Sequence, residues 1–182
     1  GMHIRGNSTA SYPKKQYSFE TWDEEDQDVD VSLLGFPAES GWVLQAPFAD
    51  KTLMRNHLMY KWSNRIGRYA SRTNFIEFYL NKDGGVVTER DYVGVYVLME
   101  KVKRGASRVN VESLDREDST EPAITGGYIL EKGWNFSDEV GIRTERCGDE
   151  LLFVYPKADS ITSQQRTYLQ GYLDDFEQSL MG

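Results

Sequence analysis

Two periods alternate along the chain. Between Lys15 and Thr21 the apolar Tyr17 and Phe19 alternate with Ser18 and Glu20, the spacing of a half-buried strand. From Asp50 to Ile66 the period lengthens. Met54, Leu58, Trp62 and Ile66 recur every fourth residue and predict an amphipathic helix, with Asp50 as its N-cap and Gly67 as its stop. Strand spacing returns in Phe75 to Leu80 and in Tyr92 to Val102, joined through the Asp83-Gly84-Gly85 turn. It recurs in the shorter runs RVNVESL, GGYILEK, GIRTER and LLFVYP. A second helix is predicted over about Thr162 to Leu180, with Leu169, Leu173, Phe176 and Leu180 on one face. Short strands, close turns and two amphipathic helices predict an α+β fold with a mostly antiparallel sheet. With 182 residues, no repeat and no low-complexity linker, a single domain over residues 1–182 is expected.

Composition narrows the classes of function. At 39% hydrophobic and 13% aromatic residues the chain can build a core, so its body is not disordered. A net charge of -8 argues against nucleic acid as the partner, because phosphate backbones are bound by clustered Lys and Arg, but it leaves room for a local basic pocket. No apolar run is long enough to span a bilayer, and the first residues carry no apolar signal segment. Cys147 is the only cysteine, which excludes an intramolecular disulfide and a cysteine-rich zinc site. His3 and His57 are the only histidines, too few for a histidine-rich metal site and without the spacing of a nucleophilic triad. Asp26, Asp28 and Asp30 copy the first ligand positions of a calcium loop. Val31 and Pro37 stand where that loop needs Gly and Glu, so the stretch reads as a solvated acidic turn.

A few polar residues carry more information. Alternation over Val93 to Val102 puts Gly94, Tyr96, Leu98 and Glu100 on one face, and the valines, read as the core, on the other. Glu100 is either a partner for a lysine, as in kinase nucleotide sites, or a solvated strand end. In GGYILEKGWNF, Tyr128, Leu130 and Lys132 share a face that suits a purine and its phosphates, or a core edge from which Lys132 snorkels. Arg55 can reach an anion or form a structural ion pair with a neighbouring carboxylate. Lys14 and Lys15 point to opposite sides of their strand, so at most one faces a given pocket.

These segments together resemble the CotH family of spore coat kinase-like proteins. IRGNSTASYPKKQYSFE is similar to the family's opening R-G-N-S…P-K-K-x-Y stretch, and SGWVLQAPFADKTLMRNHL to its W-x-L…D-x-T-x-x-R-N segment. YVGVYVLMEKV resembles its G-x-Y-x-L-x-E-x-V strand, and GGYILEK and YPKADSITSQQRTYLQGYL its later segments. The resemblance covers nearly the whole chain in order. It implies part of an atypical protein-kinase fold, ATP with Mg²⁺ as cofactors, and Ser phosphorylation of protein substrates at the cell surface or spore coat. Lys14, Lys15, Glu100, Tyr128, Lys132 and Arg55 are the nucleotide-site residues it suggests. Some relatives bind a surface partner without catalysis, which is the alternative reading. The family's metal-binding carboxylates follow the region matching TYLQGYLDDFEQSL and do not occur before Gly182. The expectation is therefore a front portion, inactive alone, with apolar surface exposed and prone to self-association.

Overall fold

The computed structural model describes residues 1–133, 137 and 140–181, and its fold is α+β with antiparallel sheets. The chain divides into two compact units, Gly1–Val102 and Lys103–Gly182.

The first unit is a five-stranded sheet with one helix. Its strands are β1 (Met2–Arg5), β2 (Gln16–Glu20), β3 (Gly41–Gln45), β4 (Thr73–Tyr79) and β5 (Tyr92–Glu100), in the order β1-β2-β3-β5-β4. Helix α1 (Arg55–Arg65) connects β3 to β4. The sequence reading missed β1, an exposed edge strand, and β3. The latter is a run of GWVLQ buried on both sides, which shows no alternation. β5 is also buried on both faces, and this corrects the expectation that its valine side alone is core. The larger cluster lies on the other side, where Tyr96 and Leu98 pack with Phe36, Trp42, Leu44 and Ala46. Val43, Val97 and Met99 form a smaller cluster with Tyr60 of α1.

Helix α1 begins four residues later than predicted, at Arg55. Residues 51–53 make a tight turn with Leu53 at φ 62°, so the first predicted turn is not helical. Asp50 still caps the helix from outside it. Its Oδ2 accepts the Arg55 N–H at 2.9 Å, and its Oδ1 accepts the Thr52 hydroxyl at 2.7 Å. Those bonds, led by the Thr52 hydroxyl, hold the Asp50 carboxyl below its ordinary range. Gly67 ends the helix at φ 78°, as expected. The predicted apolar stripe does not face the sheet. Met54 and Trp62 are exposed and Ile66 is 77% exposed, while α1 meets the sheet through Tyr60 and His57, whose Nδ1 lies 2.7 Å from the Thr73 hydroxyl.

The second unit pairs β6 (Ile129–Lys132), β7 (Gly141–Arg143) and β8 (Glu150–Tyr155) in the order β6-β8-β7 and ends in α2 (Ser163–Met181). RVNVESL is not a strand there; it contributes a single bridge, Arg104 to Val109. A reciprocal cap starts α2. Gln165 N–H donates to the Thr162 hydroxyl at 3.3 Å, and Thr162 N–H donates to Gln165 Oε1 at 3.0 Å. The predicted face holds only at its first positions. Gln165, Leu169 and Glu177 are buried, whereas Phe176 and Leu180 are exposed.

Glu177 explains that rotation of the buried face. It accepts the Arg146 and Cys147 N–H groups at 3.2 and 3.1 Å, so it holds the loop between β7 and β8. The Thr144 hydroxyl, then those N–H groups, keep its carboxyl below the ordinary 4.5, against the effect of burial. A lowered folded value means that the unfolded chain binds the proton first, so this stability is present above pH 4.5 and is lost as pH falls below it. Urea midpoints measured from pH 5 down to about pH 3 are expected to fall less steeply in Glu177→Gln. Equal slopes would remove Glu177 from the acid response.

Candidate functional site

The RGNS stretch is the tip of the β1–β2 hairpin. Gly6 turns the chain at φ 97°, and a Cβ there would stand 2.0 Å from Thr9 Oγ1, so the tight 3-10 turn Ser8–Ser11 requires glycine. Lys15 Nζ donates to the Ala10 carbonyl at 2.8 Å, closing the loop on itself. Tyr96 reaches across from β5, and its hydroxyl donates to the Lys15 carbonyl at 2.8 Å. Burial, then the neighbouring Tyr17, pushes the Tyr96 phenol up to about 12, so it remains a neutral donor at ordinary pH.

Lys14 lies against the same ring. Its Nζ sits 4.7 Å from the Tyr96 centroid and donates to the Val95 carbonyl, and burial lowers its pKa. Gly94 beside it takes φ 118°, a conformation that favours glycine, and a Cβ there would only touch Nζ at 3.4 Å. One strand therefore fixes both lysines. They diverge as the strand alternation suggested: Lys15 lines a groove of about 620 Å³, of which Lys14 is not a lining residue.

Glu100 does not pair with either lysine. Its side chain has no exposed surface, and its Oε1 lies 2.6 Å from Arg72 Nη2 and 2.7 Å from Nε. Oε2 accepts the Arg72 N–H at 2.9 Å and the Tyr69 hydroxyl at 3.4 Å. The carboxylate thus locks the segment entering β4 onto the end of β5. The lysine partnership expected from sequence fails because Arg72 is nearer in the fold and offers a planar fork of donors. Nothing in the strand pattern marked Arg72.

The remaining predicted residues make contacts of their own within each unit. Arg55 is exposed, 3.5 Å from Asp50, and takes the structural ion-pair role. In the second unit, the Tyr128 hydroxyl donates to the Ile124 carbonyl at 2.9 Å and its ring stacks near Tyr168, 6.4 Å between centroids. Burial, then the nearby Tyr168 and Asp118, pushes Tyr128 up to about 12. Lys132 is exposed and pairs with Asp149 at 2.5 Å, a hydrogen bond that raises its pKa. Trp134, Asn135 and Phe136 of the same stretch lie outside the described residues.

Among the described residues, no three His, Cys, Asp or Glu gather in a way that could hold a metal ion. No helix is long and apolar enough to cross a membrane among the described residues. No curated protein and no solved structure matches the chain. The family model described as CotH kinase protein matches residues 2–180, across both units, and on that match the chain belongs to the CotH kinase family.

Proposed function

We propose that the chain is a kinase-like, nucleotide-binding protein whose two units act as one domain and whose partner is a protein. Serine phosphorylation of a surface or coat protein is the reaction that family membership suggests. The observation that carries the reading is the anchoring of Lys14 and Lys15 by Tyr96 and Val95. Cations fixed on a closed loop are suited to phosphate, because little side-chain entropy is lost when the ligand arrives. ATP, when bound, would supply the phosphoryl group, and Lys14 would meet its phosphates by giving up the Val95 carbonyl. Glu100 and Arg72 would hold the end of β5 in place and would not touch the ligand. Transfer requires metals held by acidic ligands, and the described residues gather none. The proposed activity is nucleotide binding.

Calorimetric titration with ATP, with and without Mg²⁺, tests this. Wild type is expected to bind, and Lys14→Met about tenfold more weakly, the loss of one charge-assisted contact. Equal affinities would remove Lys14 from the site, and no binding at millimolar ATP would overturn the nucleotide reading. A second reading, a surface binding module without catalysis, is favoured by the exposed Met54, Met59, Trp62 and Ile66 on or beside one helix. Partner capture or self-association that ignores ATP would favour it.

A further inference from the structure

The connection between β4 and β5 bears two cations that nothing in the nucleotide reading uses. Lys82 and Arg90 line the same groove as Lys15, on a loop that is ordered by its own bonds. Asn81 Oδ1 accepts the Gly84 N–H at 2.8 Å, and Leu80 N–H donates to the Asp91 carbonyl at 2.8 Å. Thr88 and Asp91 close a capping box around the short 3-10 turn Glu89–Asp91. Neither the Lys82 ammonium nor the Arg90 guanidinium is engaged in a described hydrogen bond or ion pair. The two acids beside them are partly committed: Asp91 Oδ2 accepts Thr88 N–H at 2.8 Å, and Asp83 Oδ1 accepts Gly85 N–H at 2.9 Å.

The floor of the groove comes from a break in the sheet. Phe78 pairs with Gly94 but Tyr79 pairs with Tyr92, so Val93 is an extra residue on β5. A bulge of this kind twists the strand and re-aims its side chains. Tyr92 and Val93 line the groove beside Tyr17 and Leu80. The result is a cleft of about 620 Å³ with aromatic and aliphatic walls and three cations.

We propose that this groove binds a phosphoserine-bearing segment of a protein partner, with Arg90 and Lys82 on the phosphate and Lys15 supporting them. Guanidinium and ammonium donors on ordered backbone are the usual means of holding a phosphate monoester. The charge balance selects the source of that phosphate. Three cations against Asp83 and Asp91 leave a net charge of +1, which a monoester of charge about -2 exceeds by less than a triphosphate does. A triphosphate would bring more negative charge against the same two carboxylates. The carboxylates suit the N–H and hydroxyl groups of an extended peptide, and the tyrosines its side chains. The proposal shares Lys15 with the nucleotide reading but needs neither Lys14 nor a metal, so it holds whether or not the chain transfers phosphate.

The test uses the full chain and a pool of peptides with central phosphoserine and randomised flanks, against the same pool unphosphorylated, inorganic phosphate and ATP. Fluorescence polarisation is expected to show the phosphorylated pool binding at least tenfold more tightly than its twin. Arg90→Ala and Lys82→Ala should each weaken it about tenfold, and Arg90→Lys should not restore it. Both residues are exposed on a loop, so the fold is retained, and ATP titrations of the same variants should match wild type. Equal binding of the two pools, or variants without effect, overturns the proposal. ATP affinity that falls in Arg90→Ala, with no phosphopeptide binding, assigns the groove to nucleotide and overturns it as well. Inorganic phosphate binding as tightly as the peptides would reduce the groove to a simple anion site and reject the peptide.

Discussion

Arg72→Ala is expected to destabilise the first unit by about 3 kcal/mol, the lower end for breaking a buried pair because Arg72 itself is partly exposed. The loss falls on Glu100, whose fully buried carboxylate would keep the Arg72 N–H and the Tyr69 hydroxyl but lose its counter-charge. Urea denaturation measures it. The double replacement Arg72→Met with Glu100→Leu separates charge from packing, because exchanging both members for apolar groups removes the stranded ion. It should recover most of the loss. If Arg72→Ala costs less than about 1 kcal/mol, the remaining donors suffice for Glu100 and the lock between β4 and β5 is not ionic.

Trp42→Ala is expected to cost about 3–5 kcal/mol. Trp42 has no exposed surface, stacks on Phe36 at 6.1 Å, and donates its indole N–H to the Glu39 carbonyl at 3.0 Å. Removing it opens a cavity under the loop that carries Phe36, and the walls, themselves strand residues, cannot close over it. Trp42→Phe keeps the ring contact and loses the hydrogen bond, for an expected cost of about 1–2 kcal/mol. The difference between the two midpoints is the contribution of ring volume. Equal costs would mean that the hydrogen bond to Glu39, and not packing, holds this cluster.

Legibility in the sequence followed burial on one side. β2 was readable because Tyr17 and Phe19, at alternate positions, both pack on the larger cluster, although Ser18 between them is the most buried residue of the strand. β3 was not, because Trp42, Val43 and Leu44 are all buried and leave no polar beat to count. β1 failed for the opposite reason: Met2 and Ile4 are exposed at an edge, and its backbone pairing with β2 leaves no mark in hydrophobicity. Helix α1 was found from a stripe that then turned out to face away from the sheet, so its period was right and its orientation was not. The site divides in the same way. The two lysines were visible as local sequence, whereas Arg72, Lys82 and Arg90 acquire meaning only through pairing of distant strands and a bulge at Val93.

The strand order has a kinetic side. β1, β2 and β3 follow one another as neighbours, and β4 and β5 form a hairpin, so each set can pair while its chain is still local. The two sets meet along a single seam, Trp42 to Glu100 through Gln45 to Val97, and closing it requires the whole stretch around α1 to be looped out first. That seam is therefore expected to be the slow joint of the first unit. Before it closes, Tyr96 has no loop to anchor and Glu100 lacks Trp42 beside it, so both features of the site depend on that one joint.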